Sequence, residues 1–132
     1  MFRSSRFASR IRPVVALELE AAGKTEKLGM TAESFRHLER AHVLGQASTV
    51  EHVRVHWRML RWGLRQRRPR EVAGQVLRVV GAASKTALGW VPTGNTGGAD
   101  VSPFRPMPIA PDLQALLDAA AAAVHDHQAR AR

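Results

Sequence analysis

Glycine and proline divide this chain into amphipathic segments of helical length, and their spacing constrains the fold more than any other feature. Between the breaks, apolar residues recur every three or four positions, as on one face of an α-helix. Proline is tolerated in a first helical turn, and glycine is favoured just after a last turn. The pattern predicts a first helix from Pro13 to about residue 22 or 28, and further helices over about 31–45, 48–67, 69–89 and 111–127.

These segments predict an all-α fold of four to five helices in antiparallel hairpins, with a long Pro/Gly-rich loop over residues 91–110 before the last helix. The two helix pairs repeat at an offset of about 37 residues, close to the tetratricopeptide period, but the tryptophan and glycine pattern of that repeat is absent. An irregular bundle and a tetratricopeptide-like stack therefore both stay open. Residues 13–128 are expected to form a single domain between a basic N-terminal tail, 1–12, and a basic C-terminal end, 129–132.

The composition excludes several kinds of site. The 132 residues contain no cysteine, so disulfides, thiolate metal sites and thiol nucleophiles are impossible, and imidazole and carboxylate remain as metal ligands. No apolar run reaches the roughly 20 residues that cross a bilayer, which favours a soluble cytoplasmic protein. The net charge of +9 at pH 7 would attract anionic partners without choosing among them.

Four potential metal ligands are placed almost symmetrically about the predicted turn near Ala47. His42 and His52 lie five residues before and after it, and Glu39 and His56 lie eight before and nine after. Because both helices of a hairpin rise about 1.5 Å per residue, each pair comes level across the hairpin. His52 and His56 are also one turn apart on the same helix face. We therefore expect these four side chains to share one metal site.

Such a site would bind a divalent transition metal ion, zinc or iron, because imidazole and carboxylate suit both. Glu39 and His42 have the Glu-x-x-His spacing of ferritin-like di-iron bundles, which need two such motifs, so the single copy favours a mononuclear site. An open coordination position would suit a hydrolytic or oxidative metalloenzyme, although the sequence names no catalytic residue. In the structural alternative, Glu39 pairs with Arg36, Arg40 or a histidine, and the histidines are ordinary hydrogen-bonded residues.

The third helix carries an arginine stripe that suggests a non-enzymatic alternative. Four arginines fall within roughly 60° of one another on a helical projection: Arg54, Arg58, Arg61 and Arg65. The main apolar side of the same helix is predicted to consist of Val53, Trp57, Leu60 and Leu64. A module of helical hairpins could bind an acidic protein or other anionic partner through the stripe. Nucleic acid is not favoured, because no helix-turn-helix signature accompanies the arginines.

The fourth helix divides into two sides. The apolar side is predicted to consist of Val72, Val76, Val79, Val80 and Ala83. The polar side is predicted to consist of Glu71, Gln75, Arg78 and Lys85. A helix of this kind is expected to turn its apolar side towards the core and its polar side towards solvent.

The loop of Gly94, Asn95, Thr96, Gly97 and Gly98 offers backbone N–H groups in conformations that glycine permits, which is a weak anion-binding pattern. It lacks the lysine and the following hydroxyl residue of a nucleotide-binding P-loop. The favoured alternative is a tight structural turn in which Asn95 hydrogen-bonds its neighbours.

Three separated segments of the chain resemble a known family. They read FRHLERAHVLGQ from Phe35, HVRVHWRML from His52 and VPTGNTGGADVSPFRPMPI from Val91. The sequences of these segments and their order resemble those of the small bacterial family catalogued as domain of unknown function 3703, over about residues 17–113. The resemblance implies a helical bacterial protein, and it transfers no activity, cofactor or catalytic residue.

Overall fold

The computed structural model describes residues 5–87, 95–100 and 105–130. Within these ranges the regular secondary structure is α-helix, and there is no strand. The helices are α1 (Ser5–Lys27), α2 (Thr31–Gly45), α3 (Thr49–Arg65), α4 (Pro69–Ala87) and α5 (Pro111–Arg130). The all-α prediction is confirmed, and α4 and α5 begin at the predicted prolines. Over these ranges no helix combines the length and the apolarity that crossing a membrane requires.

Helix α1 begins at Ser5 rather than Pro13, so it includes most of the segment that the sequence pattern assigns to a basic tail. Phe7 and Ile11 continue its buried stripe and are 2% and 0% exposed. Burying two such side chains contributes about 3–6 kcal/mol, which offsets the roughly 3 kcal/mol that a proline costs inside a helix. Tertiary burial therefore extends the helix upstream of Pro13.

The apolar core lies where α1, α2, α3 and α5 face one another. Its largest fully buried apolar side chains are Ile11, Val15, Leu19, Leu44, Val55 and Met59. Helix α1 packs most extensively against α2, and α3 packs most extensively against α4. Among the described helices α4 packs against α3 alone, so most of its surface does not contribute to this core.

The buried face of α3 differs from the predicted one. Trp57 and Leu64 are 52% and 58% exposed, whereas Met59 and Trp62 are buried. His52 and His56 also lie in the buried face of the helix. Of the predicted apolar side, Leu60 is buried and Val53 is half-buried, so that side is wrong only at Trp57 and Leu64. The two histidines belong to the buried face because they lie against groups of α2 and α4.

Helix α4 departs in part from the two sides that the sequence pattern predicts. Val72 and Val79 of the predicted apolar side are half-buried, and the side chains of Ala83 and Lys85 lie outside the described residues. Gln75, expected on the outer polar side, is fully buried, and Glu71 is half-buried. Val76 and Val80, expected in the core, are 50% and 72% exposed. The polar side of α4 faces inward because it meets polar groups of the histidine cluster rather than an apolar surface.

Candidate metal centre

The turn between α2 and α3 brings residues of both helices close together. Helix α2 ends at Gly45, and α3 starts at Thr49, after Ser48 in an extended conformation. A Cβ atom at Gly45 would lie only 3.1 Å from the Cβ atom of Glu51, so the missing side chain permits this close approach. His42, one turn before the end of α2, consequently faces the first two turns of α3.

Three histidines direct their Nε2 atoms towards one point. The distance between Nε2 atoms is 2.9 Å from His42 to His52, 3.1 Å from His42 to His56 and 3.1 Å from His52 to His56. All three side chains are buried. They are three of the four predicted ligands, and together they could hold a metal ion.

Hydrogen bonds on the other side of two rings determine where the protons lie. Nδ1 of His42 is 2.6 Å from the carbonyl oxygen of Asn95, and Nδ1 of His56 is 2.6 Å from Oε1 of Gln75. Both partners are acceptors, so in each neutral imidazole Nδ1 carries the proton and donates it. The Nε2 atoms of His42 and His56 then carry lone pairs that face each other across 3.1 Å.

The side-chain amide of Gln75 is itself held in this orientation. Its Nε2 donates to Oε1 of Glu71 at 2.6 Å and to the carbonyl oxygen of Gly97 at 2.9 Å, and neither of these oxygens can donate. The amide oxygen must therefore face His56. The other carboxylate oxygen of Glu71 accepts a hydrogen bond from the backbone N–H of Ala99 at 3.2 Å, which ties α4 to the loop.

Burial keeps His42 and His56 uncharged at neutral pH. Burial lowers the pKa of His42 well below its ordinary value, and His56 and His52 beside it lower that pKa further. Burial also lowers the pKa of His56 to about 4, although the hydrogen bond with Gln75 opposes the shift. At neutral pH, both of these imidazoles are therefore in the state in which a metal ion binds them.

The loop of residues 95–98 contacts the cluster directly. Gly97 has φ +82°, and a Cβ atom there would lie 2.6 Å from Cδ2 of His42, so only glycine fits this position. Oδ1 of Asn95 accepts a hydrogen bond from the backbone N–H of Gly97 at 3.0 Å, across Thr96. This agrees with the tight turn favoured for Asn95. Anion binding by this loop stays a prediction, and its first residue, Gly94, lies outside the described residues.

The sequence matches a family of unknown function over most of its length. A family model described as "Protein of unknown function (DUF3703)" matches residues 9–117. The chain belongs to this family. No curated protein and no solved structure matches the chain. The match to DUF3703 includes the three histidines, Gln75 and the loop, but it attaches no activity to them.

Glu39 of this DUF3703 chain lies outside the group of three ligands. It is half-buried, and burial raises the pKa of its carboxyl group. The negative charges of Asp100 and Glu71 raise that pKa further, while Arg36 lowers it. Glu39 as a fourth ligand therefore stays a prediction. His37 of α2 bonds to Glu18 of α1 at 2.7 Å.

Most of the arginine stripe has partners within the DUF3703 chain. Three of its members donate hydrogen bonds to α1 or α3: Arg54 to Glu51, Arg58 to the carbonyl oxygen of Leu19, and Arg65 to both carboxylate oxygens of Glu26. Arg61 is exposed, and no carboxylate in the described ranges pairs with it. The stripe is therefore partly a structural feature, and its binding of a partner stays a proposal.

Sequence reasoning did not identify the groups that orient the histidines. Gln75 belongs to a polar side of α4. A polar side is also typical of a solvent-exposed helix face, so the sequence pattern does not show that Gln75 is buried. The carbonyl oxygen of Asn95 belongs to the backbone and leaves no trace in the sequence. In the described part of α4, the local sequence signal for the hydrogen bond between Gln75 and Glu71 is their spacing of four residues, which is one helical turn.

Proposed function

We propose that this protein binds one divalent transition metal ion through the Nε2 atoms of His42, His52 and His56. The observation that carries the proposal is the pair of unprotonated Nε2 atoms of His42 and His56, which face each other at 3.1 Å. Two lone pairs at this distance repel each other unless a cation lies between them. Nε2 of His52 lies within 3.1 Å of both and supplies the third ligand.

The size of the triangle of Nε2 atoms suits an ion of this class. With sides of 2.9–3.1 Å, an ion bound at about 2.0–2.1 Å from each nitrogen would lie about 1 Å out of the plane of the three atoms. All three protein ligands would then occupy one side of the ion. The remaining coordination positions would lie on the other side, as in catalytic zinc sites with three protein ligands.

The ligand set favours zinc or iron without separating them. Neutral imidazoles bind zinc, iron and copper well, and no thiolate is present to select among these metals. If water occupied an open position, a bound zinc ion would lower its pKa towards neutrality and make it a nucleophile. The proposal is first that the protein binds a metal ion. We further propose that it acts as a mononuclear metalloenzyme in the cytoplasm.

If the three histidines serve only to stabilise the fold, the protonation of their Nε2 atoms must differ from that of a metal site. One of the three Nε2 atoms must then carry a proton that the other two share. One proton shared in this way still leaves two Nε2 atoms facing each other with no hydrogen between them, at a distance of 3.1 Å or less. A metal ion satisfies all three nitrogens at once, which is why we favour it.

Metal analysis tests the proposal directly. The untagged protein, purified without a metal-affinity column, should contain close to one equivalent of a transition metal by mass spectrometry or should take up one equivalent of zinc or iron(II). His52→Ala should lose this binding, because the site keeps only two of its ligands. His37→Ala is the matched control, since His37 bonds to Glu18 away from the cluster.

Two outcomes would overturn the proposal. A metal-free protein with native helical circular dichroism that binds neither ion at micromolar concentration excludes the site. Equal metal binding by the wild type and by a folded His52→Ala variant excludes these ligands. If His52→Ala does not fold, His52→Gln preserves more of the side-chain volume and gives the same comparison.

A further inference from the structure

The outer face of α3 leaves an apolar stripe uncovered. Val50, Trp57 and Leu64 are 64%, 52% and 58% exposed, and they are spaced by seven residues. Residues at this spacing form one line along a helix, as in the seam of a coiled coil. A large tryptophan in the middle of such a line is the type of residue that anchors protein interfaces.

A basic groove lies beside this stripe. It has a volume of about 490 Å³ and lies between the C-terminal turns of α1 and the second half of α3. Four cationic side chains and one carboxylate line it together with a glycine: Lys27, Arg58, Arg61, Arg65, Glu26 and Gly23. On a helical projection Arg61 lies about 60° from Leu64, so the groove and the apolar stripe are adjacent on α3.

The groove is not neutralised by the chain itself. Both carboxylate oxygens of Glu26 accept hydrogen bonds from Arg65, and Oε1 also accepts one from Gln66. Within the described ranges, neither Lys27 nor Arg61 forms an ion pair with a carboxylate. Burial lowers the pKa of Arg58, and the positive charges of Arg54, Arg65 and Arg61 lower it further. Like charges are therefore crowded here, and an anionic group would relieve their repulsion.

We propose that this face of α3 binds an amphipathic, acidic helix of a partner protein. The apolar residues of that helix would cover Val50, Trp57 and Leu64, and its carboxylates would enter the groove beside Arg61 and Lys27. The proposal does not rest on the metal site, because it uses none of the three histidines.

Two observations favour an acidic protein helix over other occupants. Nucleic acid binds chiefly through its phosphates and would leave the apolar stripe uncovered. A second copy of this chain would add another net charge of +9 and a second arginine row. A helix with apolar and acidic residues on one side complements both features at once.

Binding of two synthetic helices tests the proposal. The probe is an amphipathic peptide of about three heptads with leucine every seventh residue and flanking glutamates, and the comparison peptide carries lysine in place of glutamate. We expect saturable binding of the acidic peptide, weakened at high salt, and no binding of the basic peptide. Lys27→Glu/Arg61→Glu and, separately, Trp57→Ala should each weaken binding by about tenfold or more.

The matched control is Arg10→Glu/Arg70→Glu, which changes the net charge equally at two exposed arginines outside the groove and the stripe. Equal weakening by both double variants would mean general charge attraction and would overturn the proposal. Unchanged binding by Trp57→Ala would overturn the docking role of the stripe. Displacement of the peptide by inorganic pyrophosphate, at concentrations below those at which simple salt weakens binding, would assign the groove to a small phosphate ligand. Dimers of the protein alone that dissociate on Trp57→Ala would assign the stripe to a second copy.

Discussion

Replacing Gln75 with leucine removes the group that orients His56 while preserving most of the buried volume. Gln75 is fully buried, and its amide contacts Nδ1 of His56, Oε1 of Glu71 and the carbonyl oxygen of Gly97. Leucine can make none of these bonds. His56 would then be free to adopt the other tautomer or to rotate, and its Nε2 lone pair would no longer be directed at the other two histidines.

The expected magnitudes follow from the lost contacts. A buried donor or acceptor without a partner costs about 1–3 kcal/mol, so the loss at His56 and Gly97 should lower the free energy of unfolding by about 2–6 kcal/mol. Removing the hydrogen-bond partner of a metal-binding histidine typically weakens metal affinity about 10–100-fold, which corresponds to about 1.4–2.7 kcal/mol. The destabilisation should therefore be larger for the zinc-bound protein than for the metal-free protein.

The assay is a competition titration of zinc against a chromophoric chelator, combined with thermal unfolding with and without zinc. Gln114→Leu is the matched control, because Gln114 is exposed and its amide donates to the exposed Asp118 on the same helix, away from the histidines. A Gln75→Leu protein that binds zinc within about twofold of the wild-type affinity would refute the orienting role of Gln75. Equal destabilisation in the two metal states would refute the link between this residue and the ion.

Three further substitutions test the loop, Glu39 and the buried carboxylate of α3. Gly97→Ala should destabilise the protein by more than about 1 kcal/mol and weaken zinc binding, because the new Cβ atom meets His42 and φ is positive. Glu39→Gln should leave zinc binding unchanged. Folding raises the pKa of Glu39, so the wild-type protein loses stability as pH rises from 4.5 through the folded-state pKa. Glutamine does not titrate. The melting temperature of Glu39→Gln relative to that of the wild type should therefore rise over this pH range. Glu51→Ala should lower stability by about 1–3 kcal/mol, because this buried carboxylate loses its hydrogen bond with Arg54 and its ion pair with Arg12, and both arginines can then reach solvent.

Two of these variants have a matched control within the chain, and the pH dependence serves as the internal test of the third. Gly23→Ala adds a Cβ atom that meets nothing within 4 Å, so it should not destabilise the protein as Gly97→Ala does. Loss of zinc binding in Glu39→Gln would make Glu39 a ligand and contradict the three-histidine site. A difference in melting temperature that does not change with pH would exclude the titration of Glu39 as its cause. Glu20→Ala removes an exposed ion pair, and stability losses of equal size in Glu20→Ala and Glu51→Ala would show that burial of Glu51 contributes nothing.

The helices and the meeting of the histidines could be predicted because both depend on residues close together in the sequence. Gly45 ends α2, and Pro69 and Pro111 begin α4 and α5 through local backbone geometry alone. Equal distances from one short turn likewise bring His42 level with His52, because every residue of a helix adds the same rise. The exception is the start of α1 at Ser5, since the helix extends upstream of Pro13 only when Phe7 and Ile11 find a core.

Only the tertiary structure decided which side of each helix turned inward and what lies against the histidines. The valines of α4 could have formed a core face, but the helix packs against α3 alone and inserts Gln75 beside His56. Trp57 is exposed because α3 is buried on the side that carries the histidines. The carbonyl oxygen of Asn95 approaches His42 from a distant loop. Helix boundaries are set within a few residues, whereas the buried face depends on distant partners whose contacts no local pattern records.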